Sequence, residues 1–341
     1  MRGLRFLVCA AALAMTSPAQ AELMTFDDLP GWAEDDHLAA LQSFLATCDL
    51  LDAPDWGPLC RMAPDAAQGP KAARAFFELF FRPVQIGQPP ALFTGYYEPE
   101  LDGSPVRTAR FRHPIYARPP ELTDGVQWHP RSVIDSGILS GRGLEIAWLE
   151  DPVDVFFLQV QGSGRIRMPD GRMIRVGYAG RNGHAYRSIG QELVRRGIMD
   201  ISQVSARGIR NWVRANPALG GELLGHNPSY IFFRKLKDLP ADKGPIGAMG
   251  RSLTTLRSVA VDPAHTPLGA PVWIDKHGAE PMRALMVAQD TGGAIKGAQR
   301  ADIFFGTGFD AGEAAGEIKD GGRMLVLLPI DMAWAMANPE G

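Results

Sequence analysis

The chain consists largely of short apolar runs separated by glycine and proline, and this pattern constrains its fold more than any other feature. Its 341 residues include 38 glycines and 27 prolines without a periodic repeat. From Leu92 onward the apolar runs have the length of strands, and the segments on either side of Pro169-Asp170-Gly171 alternate as in a β-hairpin. The pattern predicts a β-rich α+β protein, and the length predicts two domains.

Helical periodicity is confined to a few segments. One amphipathic helix is predicted to begin after Asp35 or Asp36 and to reach Leu50, and a second runs from about Pro70 to Pro83. Two later helices are predicted, one from Arg187 to Arg196 before Gly197, and one from Ser202 or Ser205 to Ala215. The run 154–160 is apolar and of strand length, so it is predicted to be a strand.

The first 21 residues have the pattern of a secretory signal peptide, with a basic start, an apolar run and an Ala-x-Ala end. Cys9 lies too early in the apolar run for a convincing lipid anchor. Export to an oxidising compartment predicts a disulfide between Cys48 and Cys60.

Composition excludes several classes of function. Without residues 1–21 the chain keeps 33 basic and 38 acidic residues, so it is mildly acidic and does not favour sequence-independent binding to nucleic acid. No later segment is apolar enough to cross a bilayer. The histidines are too scattered for a zinc pattern, and no phosphate-binding or dinucleotide motif occurs, so no metal or cofactor is expected.

Two aspartates in the segment 288–306 (AQDTGGAIKGAQRADIFFG) are the main candidates for chemistry. Asp290 and Asp302 flank a Gly-Gly turn, and a carboxyl group in a partly dry cleft can hold a proton near neutral pH. The alternative is structural: one aspartate caps a turn and the other pairs with Lys296 or Arg300.

Two further segments could bind a sugar. Alternation along a strand would place Gln159 and Gln161 on one face, and amide groups suit sugar hydroxyl and N-acetyl groups. Tyr96 and Tyr97 could line a carbohydrate groove. Burial of a glutamine at a strand end explains the first pattern equally well. An ordinary strand with one tyrosine on each face is the simpler explanation of the second pattern.

Six ordered segments between residues 90 and 328 resemble the MltA family, the membrane-bound lytic murein transglycosylase A group. They are FTGYYEPELDGS (93–104), HPIYARP (113–119), GRGLEIAWLEDPVDVFFLQVQGSGRI (141–166), GYAGRNGHAYRSIG (177–190), MGRSLTTLRSVAVDPAHTPLGAPVWI (249–274) and the 288–306 segment given above.

The resemblance implies a double-psi β-barrel formed by residues 22–104 and 236–341 together with the N-terminal helices. A smaller β-domain, residues 105–235, would be inserted into it and form the second wall of a glycan groove. Thr94, Gln159, Gln161 and Ser163 fall in segments that resemble the walls of this groove.

The resemblance also implies an activity: cleavage of the MurNAc–GlcNAc β-1,4 bond of peptidoglycan with formation of 1,6-anhydro-MurNAc. Asp302 aligns with the single catalytic acid/base and Asp290 with its companion. The implied setting is the periplasm, on glycan strands, with a possible place in cell-wall synthesis or division complexes. The alternatives are a non-catalytic wall-binding or wall-loosening protein on the same fold, and a lysozyme-like hydrolase that employs both aspartates.

Overall fold

The computed structural model describes residues 21–338, and two sheets account for most of its strands. The strands are β1 Ala21–Leu23, β2 Phe81–Ile86, β3 Leu92–Glu98, β4 Glu100–Ser104, β5 His113–Tyr116, β6 Glu145–Leu149, β7 Ser163–Arg167, β8 Met173–Arg181, β9 Ile231–Leu236, β10 Ser258–Val261, β11 Pro271–Lys276, β12 Met282–Thr291, β13 Arg300–Thr307, β14 Lys319–Asp320 and β15 Gly322–Pro329.

Helices are spread along the described part of the chain. They are α1 His37–Leu45, α2 Gly57–Ala66, α3 Pro70–Phe80, α4 Arg131–Val133, α5 Pro152–Gln161, α6 Ile189–Arg195, α7 Ala206–Ala215, α8 Pro217–His226, α9 Phe309–Glu317 and α10 Ile330–Ala337. Short 3-10 turns occur at 26–28, 32–34, 48–50 and 201–203, and a π turn at 134–138 follows α4.

The larger sheet has the order β1-β2-β15-β11-β12-β10-β13-β3-β14 and mixes parallel with antiparallel neighbours. Its main core lies between this sheet and α1–α3, and Phe44, Phe81 and Trp273 are fully buried there. Burial of each such side chain stabilises the fold by roughly 1.5–3 kcal/mol. The sheet therefore joins the N-terminal helices and residues 258–329 in one unit.

The predicted α+β class is confirmed, with helices and strands both well represented. The hydrogen-bonded order of the described strands is open, with β1 at one edge and β14 at the other, so the strands do not close into a complete barrel. Closure was implied by the resemblance and is not seen in the strand ladder.

The smaller sheet has the order β5-β6-β4-β7-β8-β9, and its strands come from residues 100–236. β7 and β8 form the predicted hairpin, with Ser163 opposite Gly177 and Arg167 opposite Met173. The chain passes from the larger sheet to the smaller one between Glu98 and Glu100, five residues before the boundary that the sequence suggested. The division at 105 and 235 into two domains stays a prediction.

The segment 152–161 is a helix, so the prediction of a strand here was wrong. Asp151 caps the helix by accepting a hydrogen bond from the Val153 N–H at 2.9 Å, Pro152 is its first residue, and Gly162 follows its end with φ 77°. These start and stop signals are present in the sequence. However, a helix that is buried on most sides is apolar all round, and its sequence then has the same pattern as a buried strand.

The other helix predictions differ in detail. α1 begins after Asp36, which accepts a hydrogen bond from the Ala39 N–H, and ends at Leu45, so Leu50 lies in a separate turn. α3 and the Ser205-capped α7 agree with the sequence. α2, α8, α9 and α10 were not predicted. α8 begins at Pro217, which the sequence analysis took as a residue beyond the end of the preceding helix, although proline is common in a first helical turn.

Cys48 and Cys60 form the predicted disulfide, with their Cα atoms 5.2 Å apart. Nearly all of the predicted signal peptide, residues 1–20, lies outside the described residues together with Cys9, while Ala21 opens β1 and pairs with Ile86. Within residues 21–338, no helix combines the length and the apolar character that a membrane span requires.

Candidate active site

Asp290 and Asp302 lie in one row across the larger sheet. Ala260 on β10 pairs with Asp290 on β12 and with Asp302 on β13, and Asp302 pairs in turn with Thr94 on β3. Directly paired residues point to the same face, so the row places both carboxyl groups on one side of the sheet. Two strand spacings separate their backbones by roughly 10 Å.

A β-bulge creates this row. The pairing of β12 with β10 shifts by one residue after Val259, so that Asp290 and not Gln289 lies opposite Ala260. A shift of one residue exchanges the two faces of a strand. Gln289 accordingly points into the core, where it donates to the Ser43 carbonyl at 2.8 Å, and Asp290 points to the face of Asp302.

Asp302 has a single side-chain donor among the described residues, the Thr94 hydroxyl, which bonds Oδ1. Arg300 donates to the same Thr94 oxygen at 2.8 Å, so Thr94 accepts from Arg300 and donates its own proton to Asp302. Burial raises the pKa of Asp302, while the Thr94 bond and the positive charge of Arg300 lower it less. The environment therefore favours a protonated Asp302 more than solvent does.

Asp290 has three donors. Its Oδ1 accepts from the backbone N–H groups of Ala248 and Thr291, both at 2.9 Å, and its Oδ2 accepts from the Tyr96 hydroxyl at 3.0 Å. Burial raises the pKa of Asp290 to about 6 and outweighs these three bonds, and the negative charge of Asp302 adds to the rise. The charge of Asp302 thus acts on Asp290, and Asp290 is held by more hydrogen bonds than Asp302.

A cavity of about 860 Å³ opens in front of both aspartates. One wall comes from the larger sheet and its loops, with Thr94, Tyr96, Asp290 and Asp302. The opposite wall comes from the smaller sheet and α5, with Gln161, Ser163, Tyr178, Arg181 and Arg234. A cleft of this size between two sheets can hold several sugar units.

Tyr96 and Gln161 both reach the cavity, in different ways. The Tyr96 ring is nearly buried against Phe304, with ring centroids 5.3 Å apart, and exposes its hydroxyl to Asp290. Gln161 Oε1 accepts from the Tyr97 N–H at 2.9 Å and so ties the end of α5 to β3. Tyr96 therefore acts on Asp290 more directly than on a sugar ring.

Gln159 lines the cavity but is nearly buried, and its Oε1 accepts a hydrogen bond from Arg131. Because residues 152–161 are helical, Gln159 and Gln161 point in different directions and do not form the predicted pair on one face. Ser163 is the first residue of β7 and borders the cavity from the smaller sheet.

The structural alternative for the aspartates is only partly met. Lys296 pairs with Asp262 at 3.3 Å, and Asp262 also accepts from the Gly297 N–H, so Lys296 serves neither aspartate of the row. Asp290 does cap a turn, as its bonds to two backbone N–H groups show. Arg300 contacts Asp302 through Thr94 instead of by a direct ion pair.

Sequence analysis missed one polar residue that lines the cavity, Arg300, and one buried residue at the end of β3, Glu98. Arg300 had been considered only as an ion-pair partner, although its position two residues before Asp302 on the same strand places it on the same face. Glu98 follows β3 residues that were selected, yet it was assigned no role. It is fully buried and binds Arg165 and Arg175 of the smaller sheet at 2.9 Å and 2.7 Å.

Two family profiles match the chain, and together they cover both walls of the cavity. One, described as the MltA specific insert domain, covers residues 92–234, and the other, described as the 3D domain, covers residues 257–328. The chain is 35% identical over 261 residues to the membrane-bound lytic murein transglycosylase A of Vibrio cholerae, which covers 72% of this chain and 68% of that protein. The chain belongs to the MltA family.

Further relatives agree. The protein of the same name from Escherichia coli K12 is 38% identical over 242 residues, 69% of this chain and 65% of that protein. A solved membrane-bound lytic murein transglycosylase from Agrobacterium tumefaciens has a TM-score of 0.83 at 35% identity, with coverage of 93% and 99%. The Escherichia coli MltA structure with bound chitohexaose has a TM-score of 0.73 at 29% identity, with coverage of 92% and 95%.

Proposed function

We propose that this protein is a lytic transglycosylase that cleaves the MurNAc–GlcNAc β-1,4 bond of peptidoglycan and leaves a 1,6-anhydro-MurNAc end. The observation that carries the proposal is the cross-strand row, which presents two carboxyl groups with raised pKa to one wall of a sugar-sized cavity. Membership of the MltA family supports the same reaction.

In this proposal Asp302 is the acid and then the base. Its Oδ1 is occupied as the acceptor of the Thr94 bond, so the proton is carried on Oδ2. Asp302 donates this proton to the glycosidic oxygen as the C1–O bond breaks and GlcNAc leaves. The C6 hydroxyl oxygen of MurNAc then attacks C1, and its proton returns to Asp302.

An intramolecular nucleophile explains why one acid is sufficient. The attacking hydroxyl belongs to the sugar, so no second carboxyl group is needed to activate water. Because this hydroxyl is already held near C1, its proximity lowers the activation barrier by roughly several kcal/mol. Asp290 is a positioning residue in this scheme. Its three donors, the N–H groups of Ala248 and Thr291 and the Tyr96 hydroxyl, keep it in place beside the cavity.

We also propose that Thr94, Tyr96, Gln161 and Ser163 border the bound glycan and that Gln159 supports the wall through Arg131. The signal-like segment 1–21 supports export to the periplasm, and N-terminal sequencing of the protein purified from fractionated cells tests this point. Outer-membrane attachment through Cys9 would require a lipid on that residue, which mass spectrometry of the same sample detects.

Product analysis tests the reaction. Purified sacculi are digested with the full-length protein, and the released fragments are analysed by mass spectrometry. We expect fragments with anhydro ends, which are lighter by one water than fragments with reducing ends. New reducing ends would indicate a hydrolase that employs both aspartates, and binding to sacculi without any new ends would indicate a non-catalytic wall-binding protein. Either result would refute the proposed function.

A further inference from the structure

We propose that Arg181 and Arg234, on the wall of the cavity opposite the aspartates, bind carboxylate groups carried by the glycan. This inference rests on the proposed function and names a feature of its substrate: a preference for strands that carry anionic substituents over neutral ones. Arg181 is on β8 and Arg234 on β9, adjacent strands of the smaller sheet, and both line the cavity.

Arg181 and Arg234 differ from the other arginines on strands β7, β8 and β9. Arg165 and Arg175 bind Glu98, and Arg167 pairs with Asp102 at 3.3 Å. Among residues 21–338, no carboxylate oxygen lies within 4.0 Å of the guanidinium of Arg181 or Arg234, and both side chains are exposed. Two positive charges on a cavity wall without internal partners are available to an anionic ligand.

Their placement relative to the reacting groups is favourable. The Arg181 side chain extends across the cavity, and its Nη1 lies 3.7 Å from the position that a Cβ on Gly293 would occupy. Gly293 belongs to the loop that follows Asp290. Arg181 pairs with Ile231, three residues before Arg234 on β9, so the backbones of the two arginines lie roughly 10 Å apart along the sheet, and both side chains line the cavity.

The rest of the cavity and of the chain accentuates this charge. The whole chain has a formal net charge of −3, so a positive wall is a local departure from its composition. Tyr178 lies near Arg181, and Asp124, an acid near Tyr178, is bonded to Arg118 at 2.8 Å.

The chemistry of the substrate provides the matching group. The sugar rings of peptidoglycan are neutral, whereas the stem peptides carry carboxylates, and removal of the peptides leaves the lactyl carboxylate of MurNAc. A guanidinium group can bind a carboxylate through two parallel hydrogen bonds, which fixes its orientation as well as its position. The two arginines would therefore orient the substituted sugar, while Asp302 acts at the bond to its C1.

Affinity measurements with three ligands test the inference. The protein carries Asp302→Asn to prevent turnover, and the ligands are peptide-bearing glycan strands, amidase-treated strands that expose the lactyl carboxylate, and chitohexaose, which has no carboxylate. The double variant Arg181→Gln/Arg234→Gln, each single variant, and Arg107→Gln as a control are compared. Arg107 is an exposed residue between β4 and β5 that does not line the cavity.

We expect at least one carboxylate-bearing ligand to bind roughly 5–20-fold more tightly than chitohexaose, and the double variant to lose most of this ratio while Arg107→Gln keeps it. The ratio should also fall as the salt concentration is raised from about 0.05 to 0.5 M. The ligand that loses affinity identifies the source of the carboxylate as stem peptide or lactyl group.

Two outcomes would overturn the inference. One is that the Asp302→Asn protein with both arginines intact binds all three ligands with equal affinity. The other is that the double arginine variant loses affinity equally for all three ligands. The proposed function fails by a different result, namely the absence of anhydro products when the wild-type protein digests sacculi. The two failures are therefore distinguishable, because the first compares affinities and the second identifies a product.

Discussion

The protein contains two buried or partly buried carboxylate sites that the same strand, β3, helps to form, and they have opposite surroundings. Glu98 at the end of β3 is completely buried and is bonded by Arg165, Arg175 and the Thr307 hydroxyl. Asp302 lies on β13 opposite Thr94 of β3, and among residues 21–338 it has one hydroxyl donor and no direct cation partner. The comparison shows that the surroundings of a carboxyl group decide whether it stabilises the fold, as Glu98 does, or is suited to exchange a proton, as Asp302 is.

The physical reason is the balance between desolvation and compensation. The guanidinium groups of Arg165 and Arg175 offset the cost of burying Glu98 as an anion. Removal of the carboxylate or of the arginines would leave a buried charge without its partner. Asp302 receives too little compensation, so its pKa rises and the group can exchange a proton. A buried carboxylate with full compensation holds the two sheets together, and one without it is suited to acid/base work.

Replacement of the acid should have the largest effect. We expect Asp302→Asn to lower the release of anhydro-muropeptides by roughly 10²–10⁴-fold, because the amide cannot give up a proton to the leaving oxygen. Mass spectrometry of digested sacculi measures the loss, and circular dichroism establishes that the variant is folded. Asp65→Asn, an exposed change on α2, serves as the control and should retain activity. Near-normal release by Asp302→Asn would contradict the assignment.

Disruption of the compensated site should affect stability instead. Glu98→Gln leaves two arginines without their carboxylate, and we expect the free energy of unfolding to fall by about 3–5 kcal/mol. Urea titration followed by fluorescence measures this change. Glu100→Gln, two residues along the chain and exposed, loses only longer contacts to Arg165 and Arg167 and should cost about 1 kcal/mol or less. Equal effects of the two changes would show that the comparison is wrong.

Two threonines allow a matched test of the same contrast. Thr94→Val removes the donor to Asp302, and since that bond lowers the pKa of Asp302, its loss should raise this pKa and move the basic limb of the pH–rate profile to higher pH. The rate at the optimum should fall about tenfold, because Arg300 and Asp302 both lose their partner.

Thr307→Val removes the hydroxyl that donates to Glu98 at 2.9 Å and is the control. It should lower stability by about 1 kcal/mol without any displacement of the pH–rate profile. A displacement in both variants, or in neither, would argue against a special role for the Thr94 bond.

The last prediction concerns the pH dependence of stability. Burial raises the pKa of Asp290 from 3.8 to about 6, so its contribution to folding is fully present below pH 3.8 and is lost as the pH rises through about 6. Asp290→Asn does not titrate and should exceed the wild type at pH 8 by about 2–3 kcal/mol, with a correspondingly higher Tm, and should differ little from it near pH 4. Scanning calorimetry at both pH values measures this, and a wild type that is more stable at pH 8 would contradict it.

Local sequence signals predicted those parts of the fold that depend on neighbouring residues. The hairpin of β7 and β8, the Ser205-capped helix and the Cys48–Cys60 pair all follow from turn chemistry, capping or compartment. The helix at 152–161 was read as a strand because a helix buried on most sides lacks the periodicity that identifies it. The error also misplaced Gln159 and Gln161, whose alternation existed only in the assumed strand.

The sequence by itself determined the kinds of groups available: two aspartates beside a Gly-Gly turn, tyrosines and amides at strand ends, and the ordered segments that identify the family. Only the tertiary structure decided which groups meet. Asp302 and Thr94 are 208 residues apart, and Asp290 faces the same side because of a bulge that periodicity cannot show. Strand pairing and burial are properties of distant segments, so the surroundings that raise one carboxyl pKa and compensate another arise only when the sheets assemble.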